Sequence, residues 1–219
     1  MRQTNEHGYT MVETTLYISL IIILGGILAS YAHKVMARYK TGRTAQQIID
    51  LKKAVLQFTA ADEDYSNLSI FNMDKSNSLP SEFKSGDPNR AVHALGGEVK
   101  LGPAINPPLN DTSDNKYYMF FIQFKNLPHS SCVEILTQGQ FYGDGSEMDT
   151  LVVNGKTAWQ YPYSFYDLNQ YRDDDIASTI TQIPLRNANT PNQSIRPNIG
   201  EAIDACSEGD NNNITWIFS

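Results

Sequence analysis

From Thr14 to Ala32 the chain runs 19 residues without a charged side chain, and at about 1.5 Å of rise per residue a helix of that length spans the ~30 Å hydrocarbon core of a bilayer. Such a segment satisfies its backbone hydrogen bonds internally, so it constrains everything that follows to hang from an apolar helix. Glu13 stands at the entrance of the run. A carboxylate there is expensive unless a partner neutralises it, which marks Glu13 as a functional candidate.

As an ordinary secretory signal the stretch fails, because it exceeds an apolar h-region of about 7 to 15 residues and no small-x-small cleavage site follows. Ahead of it lies an eight-residue polar leader, Met1 to Gly8, followed by Tyr9 and, four positions later, by Glu13. Gly8-Tyr9-Thr10-Met11-Val12-Glu13 resembles the class III signal of type IV pilins and related filament proteins. That resemblance implies cleavage between Gly8 and Tyr9 by a prepilin peptidase and N-methylation of the new Tyr9 amine. A Tyr9 ammonium and a Glu13 carboxylate are opposite charges. Between axially staggered helices, the amine of an incoming subunit can reach the Glu13 of one already packed, so Glu13 would set assembly register. The competing reading is a single-pass anchor with a stray glutamate. Family members usually begin the mature chain with Phe, Met or Leu, where this chain has Tyr9. Many also carry a proline in the membrane half of the helix, and none falls between Tyr9 and Ala61 here. Gly25-Gly26 either weakens the helix locally or permits close helix packing.

Beyond the run, Thr44, Ile48, Leu51, Val55 and Phe58 fall at helical spacing, with Arg43, Gln47, Lys53 and Gln57 off the stripe. One helix from Tyr9 to Ala61 would hold 53 residues and extend about 80 Å. Its halves divide as 9–33 in the membrane and 34–61 amphipathic, and Asp62-Glu63-Asp64 marks the end. The remaining 62–219 suffice for one globular head.

Residues 62–116, rich in Asn, Ser, Pro and Gly, read as a loop-dominated connection, with Gly96-Gly97 turning into a short strand at Glu98-Val99-Lys100-Leu101. Asn106-Pro107-Pro108 separates this from a central strand at Lys116 to Lys125. Leu127-Pro128-His129-Ser130-Ser131-Cys132 sets up a helix capped by serine, with Cys132, Ile135 and Leu136 on one face. Thr150 to Val153, Asn154-Gly155 and Lys156 to Trp159 form a hairpin pattern. Asp173-Asp174-Asp175 ahead of Ile176, Ile180 and Ile183 reads as the acidic start of another helix. Contiguous aspartates lack the alternating ligands of a calcium loop. Ile199, Ile203 and Cys206 share a helical face, Gly209-Asp210 turns the chain, and Ile214 to Phe218 is a final strand built into the sheet.

The order of these features resembles the type IVb pilins: the Gly-Gly strand, the aromatic strand, Leu127 to Cys132, the Asn-Gly hairpin, then Ala205-Cys206 and a terminal strand. The leader is shorter than most in that subclass. The resemblance implies an α+β pilin fold, a long N-terminal helix packed on an antiparallel sheet, and a disulfide between Cys132 and Cys206 bounding a variable exposed region, 132–206. Composition agrees: two cysteines without CxxC or His-rich spacing speak against a metal or redox motif and suit one disulfide in an oxidising compartment. The bridge would close a loop of roughly 75 residues, for which chain entropy gives about 4 kcal/mol. A net charge of −7 argues against a nucleic-acid partner.

The function implied is a structural subunit of a helical homopolymer. It would be inserted in the inner membrane with the head in the periplasm, and assembled by an inner-membrane platform and ATPase through an outer-membrane secretin. The surface filament would serve adhesion, aggregation or conjugation. Lys34, Arg38, Lys40 and Arg43 follow the apolar run against Arg2 alone ahead of it, so the positive-inside rule opposes this orientation; the leader and cysteine pattern are more specific than the charge count. A minor pilin or secretion pseudopilin is the alternative. A membrane-tethered enzyme is a remote one: His7, His33, His93 and His129 are scattered, and no GxSxG, HExxH or P-loop occurs. No catalytic residue, metal or cofactor is expected.

Overall fold

The structure is a computed structural model that describes residues 10–62, 64–104, 119–138, 148–160 and 197–218. It divides into two compact units, Met1–Lys40 and Thr41–Ser219. One helix, α1 (Met11–Phe58), supplies the described part of the first unit and the opening element of the second. It ends three residues before the expected Ala61, with Thr59 closing the last turn through its hydroxyl to the Val55 carbonyl (2.9 Å).

The second unit is built on a six-stranded sheet in the order β1-β2-β3-β6-β4-β5, antiparallel at every pairing. The strands are β1 (Ala91–Val92), β2 (Glu98–Ala104), β3 (Met119–Leu127), β4 (Met148–Val153), β5 (Lys156–Gln160) and β6 (Asn212–Phe218). Chain order and spatial order differ at one point: the last strand inserts between β3 and β4. Strands buried on both faces read as continuous apolar runs, and both centre strands do. Phe120, Ile122 and Phe124 alternate with Met119 and Phe121 on β3, as Ile214, Trp216 and Phe218 alternate with Ile217 on β6, all buried.

One face of this sheet meets α1. Thr44, Ala45, Ile48, Leu51 and Val55 are buried at helical spacing, and the last four share one apolar core with Phe120, Ile122, Phe124, Leu151, Ile214 and Trp216. Gln47 departs from the expected polar face: it is 1% exposed. Its burial is tolerated because both ends of the amide are bonded. Oε1 accepts from the Ala94 backbone N–H (2.8 Å) and Nε2 donates to Glu82 (3.2 Å). Glu82 also receives Arg43 at 2.6 Å, and Thr41 shares a buried 2.8 Å hydroxyl bond with Ser131. These polar ties fix the rotation of residues 41–58 against the sheet and its flanking loops, which apolar burial alone would leave free to slide.

The stretch 62–116 holds more regular structure than its composition indicated. Ser69 caps α2 (Ile70–Lys75) by accepting from the Asn72 N–H, a 3₁₀ turn follows at Ser81–Phe83, and β1 pairs with β2. Gly96 has φ +90°, and a Cβ on Gly97 would collide with the Lys125 carbonyl and the His93 ring. Only glycine permits that strand approach. Asn106-Pro107-Pro108 and the Asp173 to Ile183 segment lie outside the described residues, as do 116–118 of the aromatic strand.

Helix α3 (His129–Thr137) is not capped by serine. Pro128 occupies the cap without a side-chain bond; Ser130 and Ser131 fall inside the first turn, and Ser131 turns instead to Thr41. Cys132, Ile135 and Leu136 are buried together as expected. Helix α4 (Ile199–Ala205) buries Ala202, while Ile199 and Ile203 are 67% and 48% exposed. The face that Ile199 and Ile203 share is therefore largely open, while Cys206, just past the helix end, is buried and bonded to Cys132.

Candidate assembly elements

The described chain begins at Thr10, so Gly8 and Tyr9 lie outside it. Thr10 opens α1: its carbonyl accepts from the Glu13 and Thr14 N–H groups at 3.0 and 3.2 Å. Glu13 thus sits in the first turn, where the helix dipole favours an anion. Its side chain is exposed and takes part in no ion pair among the described residues. The surface that follows is apolar on all sides. Leu16, Ile21, Ile23 and Leu28 are each more than 60% exposed. Hydroxyls within it are turned back on their own helix: Thr15 donates to the Val12 carbonyl, Ser19 to Leu16 and Ser30 to Gly26, at 2.8 to 2.9 Å. This bonding lets polar side chains sit in an apolar surround without an outside partner. By length and composition α1 can cross a membrane.

The second element is the cysteine-bounded region. Cys132 on α3 and Cys206 at the end of α4 are joined, 74 residues apart in sequence and with 6.1 Å between their α-carbons. Around the bond lies an asparagine network that the sequence marked only as an Asn-rich turn. Asn212 is fully buried. Its Nδ2 donates to the Leu127 and Ser207 carbonyls (3.1 and 3.0 Å), and its Oδ1 accepts from the Ser207 N–H (2.6 Å) and from Asn154 Nδ2 (2.8 Å). Asn154 in turn accepts from the Asn213 N–H at 2.9 Å. Asn154 and Gly155, at φ 50° and 74°, form the expected hairpin turn. The turn, the start of β6 and the Cys206 end of α4 are therefore locked together. His129 joins them through its backbone N–H to Gly209 (2.8 Å) and its ring Nδ1 to the Ser207 carbonyl (3.1 Å).

His93 is engaged elsewhere. Its ring is 2% exposed and stacks on Phe124, with centroids 5.1 Å apart. Nδ1 accepts from the Leu95 N–H (3.2 Å), which leaves Nε2 to donate to the Lys125 carbonyl (2.8 Å). Burial lowers its pKa below the ordinary 6.5, partly opposed by the Lys125 bond. The folded chain therefore binds this proton less readily than the unfolded one. Its stabilising contribution is complete above about pH 6.5 and is lost as pH falls from there through the folded pKa. Denaturant unfolding followed by the buried Trp216 should show a larger loss of stability from pH 7.5 to 5.0 in the parent than in His93→Gln. Equal losses would remove His93 from the pH response.

His7 and the side chain of His33 lie outside the described residues, and no group of three metal-ligating side chains occurs among those described. Residues 38–219 match the family model described as PilS N terminal. The major structural subunit of the bundle-forming pilus of Escherichia coli O127:H6 (strain E2348/69, EPEC) is 18% identical over 137 residues, which cover 63% of this chain and 67% of that protein. A type IVb pilin from Salmonella typhi aligns with TM-score 0.47 and 12% identity over 80% of this chain and 97% of that one. TcpA, a type IV pilin from Vibrio cholerae El Tor biotype, aligns with TM-score 0.44 and 13% identity over 83% and 99%. The family model takes in residues 41–58 of the long helix, every strand of the sheet and both cysteines, and the chain thus belongs to the PilS family of type IV pilins, the structural subunits of pili.

Proposed function

We propose that the chain is a type IVb pilus subunit made as a membrane precursor, trimmed by a prepilin peptidase between Gly8 and Tyr9 and methylated on the Tyr9 amine. The observation that carries this reading is a single one: a glycine-ended polar leader and a glutamate five residues beyond its glycine stand at the mouth of an uncharged helix. A free Tyr9 ammonium and an unpaired Glu13 carboxylate in adjacent subunits are complementary charges entering low dielectric, where each is tolerated only beside the other. Pairing between staggered copies sets the register of a helical homopolymer whose core is the bundled N-terminal helices.

In this reading the head folds in the periplasm, where its disulfide can form. The subunit is then drawn from the inner membrane by the assembly platform and its ATPase, and the filament leaves through the outer-membrane secretin. Moving an apolar helix from lipid into a helix bundle changes apolar burial little, so packing and the Tyr9–Glu13 pair supply specificity while the ATPase supplies work. Adhesion, aggregation or conjugation would be carried by surfaces between the cysteines. No nucleic acid enters the scheme.

The decisive measurement is the intact mass of the chain recovered from its membrane or from sheared filaments. Loss of residues 1–8 with the gain of one methyl group is expected. A mass that retains the leader would end the reading of trimming after Gly8 and of the Tyr9–Glu13 pairing built on it.

A further inference from the structure

Where the apolar run ends, α1 carries Tyr31, Lys34 and Arg38 on one stripe. At about 100° per residue, Tyr31 and Arg38 lie roughly 20° apart around the helix and Lys34 roughly 60° to one side. Tyr31 is 70% exposed, and Lys34 and Arg38 are both exposed. Neither cation makes an ion pair among the described residues, in contrast to Arg43, which is tied to Glu82. Nor does the helix offer a partner one turn away: the sequence has no Asp or Glu between Glu13 and Asp50. Two cations with no ion-pair partner among the described residues and an aromatic thus stand together at the end of an uncharged span.

Depth makes the arrangement specific. With Ala32 as the last residue in hydrocarbon, the α-carbons of Lys34 and Arg38 lie about 3 and 9 Å further along the axis. The headgroup layer of one leaflet is roughly 5 to 7 Å thick. Tyr31 falls at its inner edge, where an amphipathic ring is favoured, and the two cations bracket the phosphates. A guanidinium can take a phosphate through two parallel N–H donors, and an ammonium adds a point charge beside it.

We propose that Tyr31, Lys34 and Arg38 form a binding stripe for the phosphates of anionic phospholipids in the leaflet where the apolar span ends. The stripe fixes the depth of the anchor and opposes withdrawal of the helix from the bilayer. The excess of positive charge on this side of the span thereby acquires a role. The inference rests on the apolar run spanning a bilayer and not on filament assembly.

The test reconstitutes the full chain in phosphatidylcholine bilayers containing a trace of spin-labelled phosphatidylglycerol or spin-labelled phosphatidylcholine. The measured quantity is the motionally restricted fraction of each lipid. Each juxtamembrane cation is expected to contribute about a fivefold preference for the anionic lipid. The parent should therefore select phosphatidylglycerol at least fivefold, less so at high salt, and Lys34→Gln/Arg38→Gln should bring the ratio near unity. Both changes lie on an exposed helical surface, and helix content by circular dichroism checks that the variant is intact. Equal restriction of the two lipids by the parent overturns the proposal, as does a preference that survives the double substitution. Loss of filaments in the double variant with lipid selectivity unchanged would assign the stripe to a second copy of the chain and overturn it too. A chain that never assembles leaves the lipid arms intact, so failure of the filament reading is seen separately.

Discussion

Cells making only the Glu13→Val chain are expected to accumulate trimmed subunit in the membrane and to yield at least tenfold less filament by shearing than the parent. Under the proposed trimming after Gly8, valine at position 13 leaves both the leader and the apolar run as they are. Assembly differs, because the Tyr9 ammonium of an incoming subunit would then enter the bundle with no carboxylate to meet it. Breaking a buried pair by removing one partner costs about 3 to 5 kcal/mol, or more than two powers of ten in an equilibrium. Glu13→Gln separates charge from shape. It keeps the volume and hydrogen-bonding capacity at the helix entrance, so a loss as deep as that of valine assigns the effect to charge. Parental filament yield from Glu13→Val, with trimming intact, would sink the register argument.

Legibility in this chain follows the range of the force involved. The apolar run, the buried stripe from Thr44 to Val55, the aromatic strand and the Asn154-Gly155 hairpin were all readable, because each is written as a local period or turn. The pairing of Cys132 with Cys206 needed only the count of cysteines and the resemblance. Helix α2 and the 3₁₀ turn at Ser81–Phe83 were missed, since short elements are held by what they pack on; Met73 and Phe83 are fully buried while their neighbours are polar. One local signal went unread: Asn198-Ile199-Gly200-Glu201 is a capping box, with Glu201 N–H donating to Asn198 Oδ1 at 3.0 Å and Asn198 N–H to Glu201 Oε2 at 2.9 Å.

The errors that matter most involve tertiary partners. Gln47 belongs to the polar face by type, yet Ala94 and Glu82, 47 and 35 residues away, supply both halves of its hydrogen bonding. No window of helical length contains them. Ile199 and Ile203 show the opposite case, since a shared helical face read from periodicity does not say whether that face is buried, and here both are exposed. The candidate assembly site divides the same way. Glu13 is conspicuous because it breaks a pattern, whereas Asn212 is conspicuous only once Leu127, Asn154 and Ser207 are seen around it.

Replacing both cysteines by serine should shift the folding equilibrium of the head by about three powers of ten toward the unfolded chain and sharply lower the amount of folded subunit recovered. The loop that the bond closes removes chain entropy from the unfolded ensemble worth about 4 kcal/mol, against a net stability of about 5 to 15 kcal/mol for a domain. Serine adds a second cost, because Cys132 is fully buried and Cys206 is 5% exposed, and a hydroxyl there must find a partner. The alanine pair omits that cost while still losing the bond, so the difference between the two double variants measures the buried hydroxyls alone. Unfolding should begin where the bond acted, at the Cys206 end of α4. Backbone hydrogen exchange offers the check: Ser207 N–H, held by Asn212 at 2.6 Å, and Asn213 N–H, held by Asn154 at 2.9 Å, should lose protection before the N–H groups of β3. Uniform loss across the sheet would mean that the network and the central strands form one cooperative unit. Unchanged protection in both double variants would show that the asparagines hold the junction without the sulfurs.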